Sequence, residues 1–114
     1  MTDVDAMYAE ADKLKDDGQL DEAIAKLNEL LSCDPNHVLS HLALAVILGR
    51  VGQHEKAITH GQKACELEPD APFNFTAMSV TYQRAGAGTQ KQEYIAKAEE
   101  AMARAHMLEG TPGR

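Results

Sequence analysis

Histidine and cysteine are the side chains of this chain best suited to chemistry, and their spacing offers little of it. His37 and His41 are four residues apart, and His54 and His60 follow beyond the next turn. His37 falls at a helix start and His41 at a packing position, so both would have to turn outward to share a metal ion. The sequence contains no Cys/His spacing typical of zinc. We therefore expect no metal site and no cofactor.

Catalytic motifs are also missing from the sequence. It has no Ser–His–Asp order and no phosphate-binding loop. The Gly-Ala-Gly at 86–88 lacks the preceding strand that a dinucleotide fingerprint requires. Cys33 and Cys65 form no disulfide framework, and we expect two reduced, mostly buried thiols. The sequence predicts a protein that is not an enzyme.

The net charge of −7 is concentrated in the first third of the chain. Residues 1–34 contain ten Asp and Glu against three Lys and Arg, residues 35–68 balance at three each, and residues 69–114 balance at five each. This distribution argues against nucleic acid, because phosphate contacts need a basic surface. It favours a partner with basic residues near the N-terminal end. The alternative is a solvated acidic helix that aids solubility.

Nothing in the sequence predicts a membrane segment. The first five residues, 1–5, are acidic and lack the apolar run of a secretory signal. The longest apolar stretch, 42–48, is far too short to span a bilayer. We expect a cytoplasmic chain with no membrane partner, unless an upstream segment has been removed.

A period of 34 residues organises the sequence. Glycines, small residues and prolines recur at this spacing, at Gly18, Gly52, Gly86, Ala11, Ala45, Ser79, Ala23, Ala57, Pro35 and Pro69. Such a period predicts one supersecondary unit stacked several times. Apolar residues at i, i+3, i+4 and i+7 predict helices over 3–17, 20–32, 37–50, 54–67, 71–85 and about 90–108.

The period slips in the last unit. Residues 64–68 are echoed by residues 105–109 at a spacing of 41, so seven residues have been added after Gly86. Thr89 and Gln92 have the spacing of a capping box. We therefore expect the chain to turn at Ala85 and Gly86, and the insertion to lengthen the last helix backwards. Residues 110–114 are predicted to be a disordered tail.

This pattern resembles the tetratricopeptide repeat family over about residues 4–109. That family combines a small residue late in the first helix, a glycine turn, an alanine opening the second helix and a closing proline. The resemblance implies a single all-α domain over 1–109, a right-handed α-solenoid of three antiparallel helix hairpins with an extended last helix. The repeats would run over about 4–37, 38–71 and 72–109, the last with the seven-residue insertion.

Three positions depart from the family pattern, and one of them is Glu10, in a slot usually given to Leu. His41 stands where the family often has Trp or another large apolar residue, and Gly61 stands mid-helix where Phe or Tyr is common. Glycine there costs about 1 kcal/mol relative to alanine. We expect a neighbour, with Phe75 the candidate, to fill the space at Gly61. The alternative is a ligand pocket.

The resemblance also implies a non-catalytic protein–protein interaction module, whose concave groove is lined by the first helix of each repeat. The positions carried over are Asp5, Tyr8, Asp12, Lys15, Asp16, Leu39, Leu42, Val46, Gly49, Arg50, Phe73, Thr76, Val80, Gln83 and Arg84. We expect this groove to bind a peptide or helix of a partner protein that has apolar anchors and some basic residues. The alternative for the apolar members is that they belong to the core.

Chaperone-binding members of the family grip a peptide's terminal carboxylate with a clamp of Lys, Asn and Arg. Here Asp12, Val46 and Val80 occupy positions that the clamp requires. We therefore expect no binding of chaperone C-terminal tails.

A second interpretation is self-association. The family usually closes its last repeat with an extra solvating helix, and none follows residue 109 in this sequence. The last helix would then dock onto a second copy, as a homodimer or an assembly scaffold. The residues expected to do so are Tyr94, Ile95, Ala101, Met102 and Leu108.

Overall fold

The computed structural model describes residues 3–110, which form six α-helices and contain no strand. The helices are α1 Val4–Asp16, α2 Leu20–Cys33, α3 Val38–Arg50, α4 His54–Leu67, α5 Pro72–Thr89 and α6 Gln92–Leu108. Successive helices pair as three antiparallel hairpins, and each hairpin packs on the next. The predicted all-α solenoid is confirmed. The predicted tail beyond residue 110 lies outside the described residues.

The first two hairpin turns have the same geometry. Gly18 has a φ of +81° and Gly52 a φ of +86°, a left-handed conformation that glycine adopts without strain. In the first turn Gln19 N donates to Leu14 O at 2.8 Å, and in the second Gln53 N donates to Leu48 O at 2.8 Å. Each helix end is therefore closed by a Schellman motif, one period apart.

The third turn differs from the prediction. Helix α5 continues through Gly86 and ends at Thr89, and the left-handed residue is Gln90, with a φ of 65°. Gly86 is buried, and a Cβ added to it would lie 2.8 Å from Ile95 Cδ1. This glycine is therefore needed for close packing of α6 on α5, and it does not form the turn.

The seven-residue insertion is divided between two helices. Compared with α3 and α4, five extra residues lengthen α5, three lengthen α6 at its start, and the linker is one residue shorter. The predicted capping box is wrong. Thr89 is the last residue of α5, where its hydroxyl donates to Ala85 O at 2.6 Å. Lys91 precedes α6 and makes no side-chain capping bond.

Small residues allow the helices of each hairpin to approach closely. Ala11 and Ala23 are buried in the first hairpin, and Ala45 and Ala57 in the second, as helix axes 8–10 Å apart require. In the third hairpin Ser79 takes the place of alanine, and its hydroxyl donates to Ala98 O at 2.8 Å. The serine hydroxyl is therefore hydrogen-bonded across the hairpin to the backbone of α6.

Glu10 is exposed and its Oε2 lies 3.4 Å from Lys26 Nζ, whereas the departures at Gly61 and His41 are resolved by packing. A Cβ added to Gly61 would lie 2.7 Å from Met78 Sδ. Met78, and not Phe75 as predicted, therefore fills the space. His41 is only 7% exposed, and its Nε2 donates to Pro35 O at 2.8 Å. Its Nδ1 must then accept the proton of His60 Nδ1, 2.9 Å away.

The two cysteines differ in exposure. Cys65 is half-buried and its thiol donates to Asn74 O at 3.5 Å. Burial, and then the nearby Glu66 carboxylate, raise the pKa of Cys65 to about 11, so this thiol is protonated at neutral pH. Cys33 is exposed, which corrects the expectation that both thiols are mostly buried. Both cysteines are free.

Candidate partner-binding surface

The first helices of the three hairpins, α1, α3 and α5, lie side by side and form the surface that we call the first-helix face. Helix α5 contacts α3 directly, where Arg84 Nη1 donates to Val46 O at 3.5 Å. Helix α1 reaches the start of α3 through the rings of Tyr8 and His37, whose centroids are 5.7 Å apart. Residues 34 apart in sequence therefore occupy equivalent positions on neighbouring helices of this face.

Four large apolar side chains are exposed on α3 and α5. Their exposed fractions are 54% for Leu39, 36% for Val46, 67% for Phe73 and 38% for Val80. Each helix contributes two of them seven residues apart, which places both on the same side of the helix. The pairs on the two helices are also 34 residues apart, so they are in register. We call these four residues the apolar patch.

Helix α1 presents carboxylates at the equivalent positions. Asp5, Asp12 and Asp16 are all exposed. Lys15 lies beside them, with its Nζ 3.1 Å from Asp12 Oδ1 and 3.8 Å from Asp16 Oδ1. The hydrogen bond that Lys15 donates to Asp12 raises the pKa of Lys15, and burial followed by the charge of Asp12 raises the pKa of Tyr8. The three aspartates, which we call the acidic face, remain negative overall.

The C-terminal ends of α3 and α5 carry arginines at equivalent positions. Arg50 and Arg84 are exposed, and within residues 3–110 neither forms an ion pair. A Cβ added to Gly49 would lie 3.7 Å from Arg84 Cδ, so the Arg84 stem crosses that glycine. The neighbouring Gln83 donates to Ser79 Oγ at 3.2 Å. The two cations border the apolar patch on one side.

Five of the predicted groove residues do not have an exposed side chain, and two of them, Tyr8 and Lys15, are half-buried on α1. Leu42 is only 8% exposed and belongs to the core, which corrects its assignment to the groove. It lies about 60° around α3 from Leu39, on the side that packs against neighbouring helices. Gly49 is buried, and Thr76 is half-buried with its hydroxyl donating to Pro72 O at 3.3 Å.

His37 forms part of this surface and was not predicted to do so. It precedes α3, and its Nδ1 accepts from Ser40 N at 3.3 Å and from the Ser40 hydroxyl at 2.8 Å. These two hydrogen bonds hold the imidazole ring beside Tyr8, where α1 meets the start of α3. Residue type gives no signal for this role, because the side chains that typically cap helices are those of Ser, Thr, Asp and Asn.

The predicted self-association residues of α6 are only partly available. Ile95 is 46% exposed, while Met102 and Leu108 are half-buried. Ala101 is 8% exposed and lies in the core, so its assignment to a docking face is wrong. Tyr94 is engaged within the molecule, because its ring stacks on that of Tyr82 at 6.0 Å.

Two large clefts lie away from the apolar patch. One of about 600 Å³ lies between α2 and α4 and contains His41 and His60. Another of about 530 Å³ lies among α4, α5 and α6 and contains Cys65. Residues 3–110 include no group of three or more His, Cys, Asp or Glu that could hold a metal ion. In the same range, no helix combines the length and apolar character needed to cross a bilayer.

Comparison with known proteins identifies the fold. The family profile for the tetratricopeptide repeat matches residues 27–59, which run from α2 through α3 into α4. The six helices fit about three such repeats, and the predicted resemblance to this family is confirmed. A search of curated protein sequences gives no match.

Several solved structures share this arrangement. A crystal structure of MamA superposes with a TM-score of 0.81 at 18% identity, covering 96% of this chain and 60% of that one. MamA 41-end from Desulfovibrio magneticus RS-1 gives 0.76 at 20% identity, covering 93% and 56%. SycD, a type III secretion translocator chaperone of Yersinia enterocolitica in an alternative dimer, gives 0.80 at 17%, covering 95% and 76%. The chain thus spans less than two thirds of these MamA chains, and the likeness shows the fold alone.

Proposed function

We propose that this tetratricopeptide repeat protein is a non-catalytic interaction module that holds a segment of a partner protein against its first-helix face. The observation that carries the proposal is the apolar patch, in which four side chains in register are 36% to 67% exposed. Contiguous exposed apolar surface bordered by charge is a feature of protein interaction sites. Burying it against a polypeptide would be favourable at about 25 cal/mol per Å².

A polypeptide suits this face better than a small molecule. Small ligands are held in deep concavities that bury most of their surface, whereas the apolar patch lies on side chains that protrude from α3 and α5. Nucleic acid remains disfavoured, because the adjoining acidic face would repel phosphates. The partner would therefore be a peptide or helix with apolar side chains.

Panning a random peptide library against the folded protein tests this proposal. The double variant Leu39→Glu plus Phe73→Glu places two charges in the apolar patch at positions that are already exposed, so the fold should be retained. We expect peptides selected on the unmodified protein to lose at least about tenfold in affinity for this variant.

The matched control is Ile95→Glu plus Met107→Glu, which adds the same charge at exposed apolar positions of α6. Its affinity for the selected peptides should be unchanged. Equal binding to all three proteins, or no selected peptide at all, would overturn the proposal.

Self-association is a second candidate function, favoured by the exposure of Ile95 at 46% and Met107 at 69% on α6. Sedimentation equilibrium over a wide concentration range tests it, with the Ile95→Glu plus Met107→Glu variant as comparison. A monomer at the highest concentration would exclude this candidate. The cytoplasmic location stays a prediction from the sequence, which cell fractionation would check.

A further inference from the structure

Nine residues of the first-helix face form three rows that cross α1, α3 and α5. All nine side chains are exposed. The rows are Asp5, Leu39 and Phe73; Asp12, Val46 and Val80; and Asp16, Arg50 and Arg84. In every row the residue on α1 is a carboxylate, and the residues on α3 and α5 are apolar or cationic. The face therefore changes character abruptly between the first repeat and the other two.

This asymmetry determines where a charged partner residue would lie. The acidic face would attract a cation over α1, since the adjoining Lys15 is already engaged by Asp12 and Asp16. Arg50 and Arg84 would repel a cation placed over α3 or α5. Complementary charges fix the register of a bound chain and suppress wrong placements, because like charges brought together are costly.

The spacing of the helices determines the spacing of the partner's anchors. Packed helices have axes about 8–10 Å apart, and α3 and α5 are in direct contact. A polyproline II segment rises about 3.1 Å per residue with three residues per turn. Residues i and i+3 of such a segment lie on one side, about 9 Å apart. Two residues three apart would then meet α3 and α5, and a residue one further turn along would lie toward α1, which reaches the start of α3 through Tyr8 and His37.

We infer that the first-helix face binds an extended segment of the type basic-x-x-apolar-x-x-apolar, with the basic residue over α1 and the apolar residues over α3 and α5. The inference rests on the proposed function and specifies the partner of the same surface. Asp5 and Asp12 select the basic residue. The apolar patch receives the other two anchors.

Titration of synthetic peptides into ¹⁵N-labelled protein, followed by NMR, tests this inference. The reference peptide is Lys-Pro-Pro-Leu-Pro-Pro-Leu, and two others replace its lysine with Gln or Glu. At low salt we expect the lysine peptide to bind roughly threefold to tenfold more tightly than the glutamine peptide, and the glutamate peptide to bind most weakly. Added salt should reduce the differences, because these charges are exposed.

Charge reversal on the protein should invert the order. The variant Asp5→Lys plus Asp12→Lys is expected to prefer the glutamate peptide over the lysine peptide. The matched control Glu99→Lys plus Glu100→Lys makes the same change in net charge on α6 and should keep the original order. A shortened peptide, Lys-Pro-Leu-Pro-Leu, should bind more weakly than the reference in all three proteins.

The possible results separate this inference from the proposed function. Equal affinity of the three heptapeptides, with shifts confined to α3 and α5, would overturn the inference and leave the proposed function standing. No shifts with any heptapeptide would overturn the inference as well, whereas the library selection decides independently on the proposed function. The same order for both charge variants would show that net charge, and not the position of Asp5 and Asp12, sets the preference.

Discussion

The two layers of the solenoid expose different kinds of surface. The layer of α1, α3 and α5 exposes apolar side chains in register, of which Phe73 at 67% and Leu39 at 54% are the most accessible. The layer of α2, α4 and α6 contains the two large clefts, of about 600 and 530 Å³. Some of the polar side chains that line them are hydrogen-bonded within the molecule. His41 is held by Pro35 and His60, and Gln62 donates to Tyr82 Oη at 3.1 Å.

The difference shows that cleft volume is a poor guide to function in a molecule of this shape. The first helix of a repeat packs between its own second helix and that of the preceding repeat. Clefts between second helices are therefore a consequence of the architecture. Exposure of large apolar side chains is different, because it forgoes stabilisation that burial would supply. Substitutions should therefore affect stability and binding differently in the two layers.

The largest expected effect separates two leucines on the same helix. Leu42→Ala should lower the free energy of unfolding by about 2–4 kcal/mol, because it removes a buried side chain and leaves a cavity. Leu39→Ala should lower it by less than about 1 kcal/mol, since that side chain is 54% exposed. Urea denaturation of both variants measures the difference. Similar losses would mean that the division of α3 between core and binding surface is wrong.

The buried His41, which lies on α3 but lines the cleft between α2 and α4, offers a contrasting test. His41→Ala leaves the Pro35 carbonyl and His60 Nδ1 without their partner, which should cost about 1–3 kcal/mol. Affinity for the peptides selected on the unmodified protein should not change, because His41 lies away from the first-helix face. Thermal denaturation and peptide titration of one sample measure both quantities. Weaker peptide binding by a fully folded His41→Ala variant would mean that the cleft and the first-helix face are not independent.

A smaller effect distinguishes the regular turns from the lengthened third hairpin. Asparagine tolerates the left-handed conformation of Gly52, so Gly52→Asn should cost less than about 1 kcal/mol. Gly86→Asn should cost about 1–3 kcal/mol, because it forces a side chain against Ile95 and Tyr94. The free energies of unfolding of the two variants are compared directly. The reverse ranking of the two free energies would mean that Gly86 forms the turn, as the sequence predicts.

The smallest expected effect is a dependence of stability on pH through His60. Burial, and then the neighbouring His41, lower the pKa of His60 in the folded state. The unfolded chain therefore binds the proton more readily, and this contribution to stability is lost as pH falls below about 6.5. The variant His60→Gln should show a shallower loss of melting temperature between pH 7 and pH 5. Identical slopes for both proteins would exclude the effect.

The 34-residue period sufficed to predict the fold. It placed six helices within a few residues of their observed limits, apart from the end of α5, because glycine turns and buried alanines recur only where hairpins repeat. The groove positions were implied by the resemblance to the tetratricopeptide repeat family, and ten of them are exposed on α1, α3 and α5. When repeat units stack in register, equivalent positions on their helices lie in similar environments.

The sequence could not show which of two roles a given residue takes. Gly86 has the phase of Gly18 and Gly52, yet it is a packing residue because Ile95 lies against it. Leu42 and Leu39 are identical in type and three positions apart, and only the packing of neighbouring helices buries one of them. Met78 fills the space at Gly61 because its flexible side chain reaches it, which no pattern of spacing indicates.

The footprint of a bound peptide on the protein is the most direct test of the central claim. ¹⁵N chemical-shift mapping with a library-selected peptide should perturb residues around the apolar patch, at 39, 46, 73 and 80, together with the adjoining part of α1. Resonances of His60 and Gln62 in the second-helix layer should stay in place. A footprint centred on the clefts between α2, α4 and α6 would contradict the account.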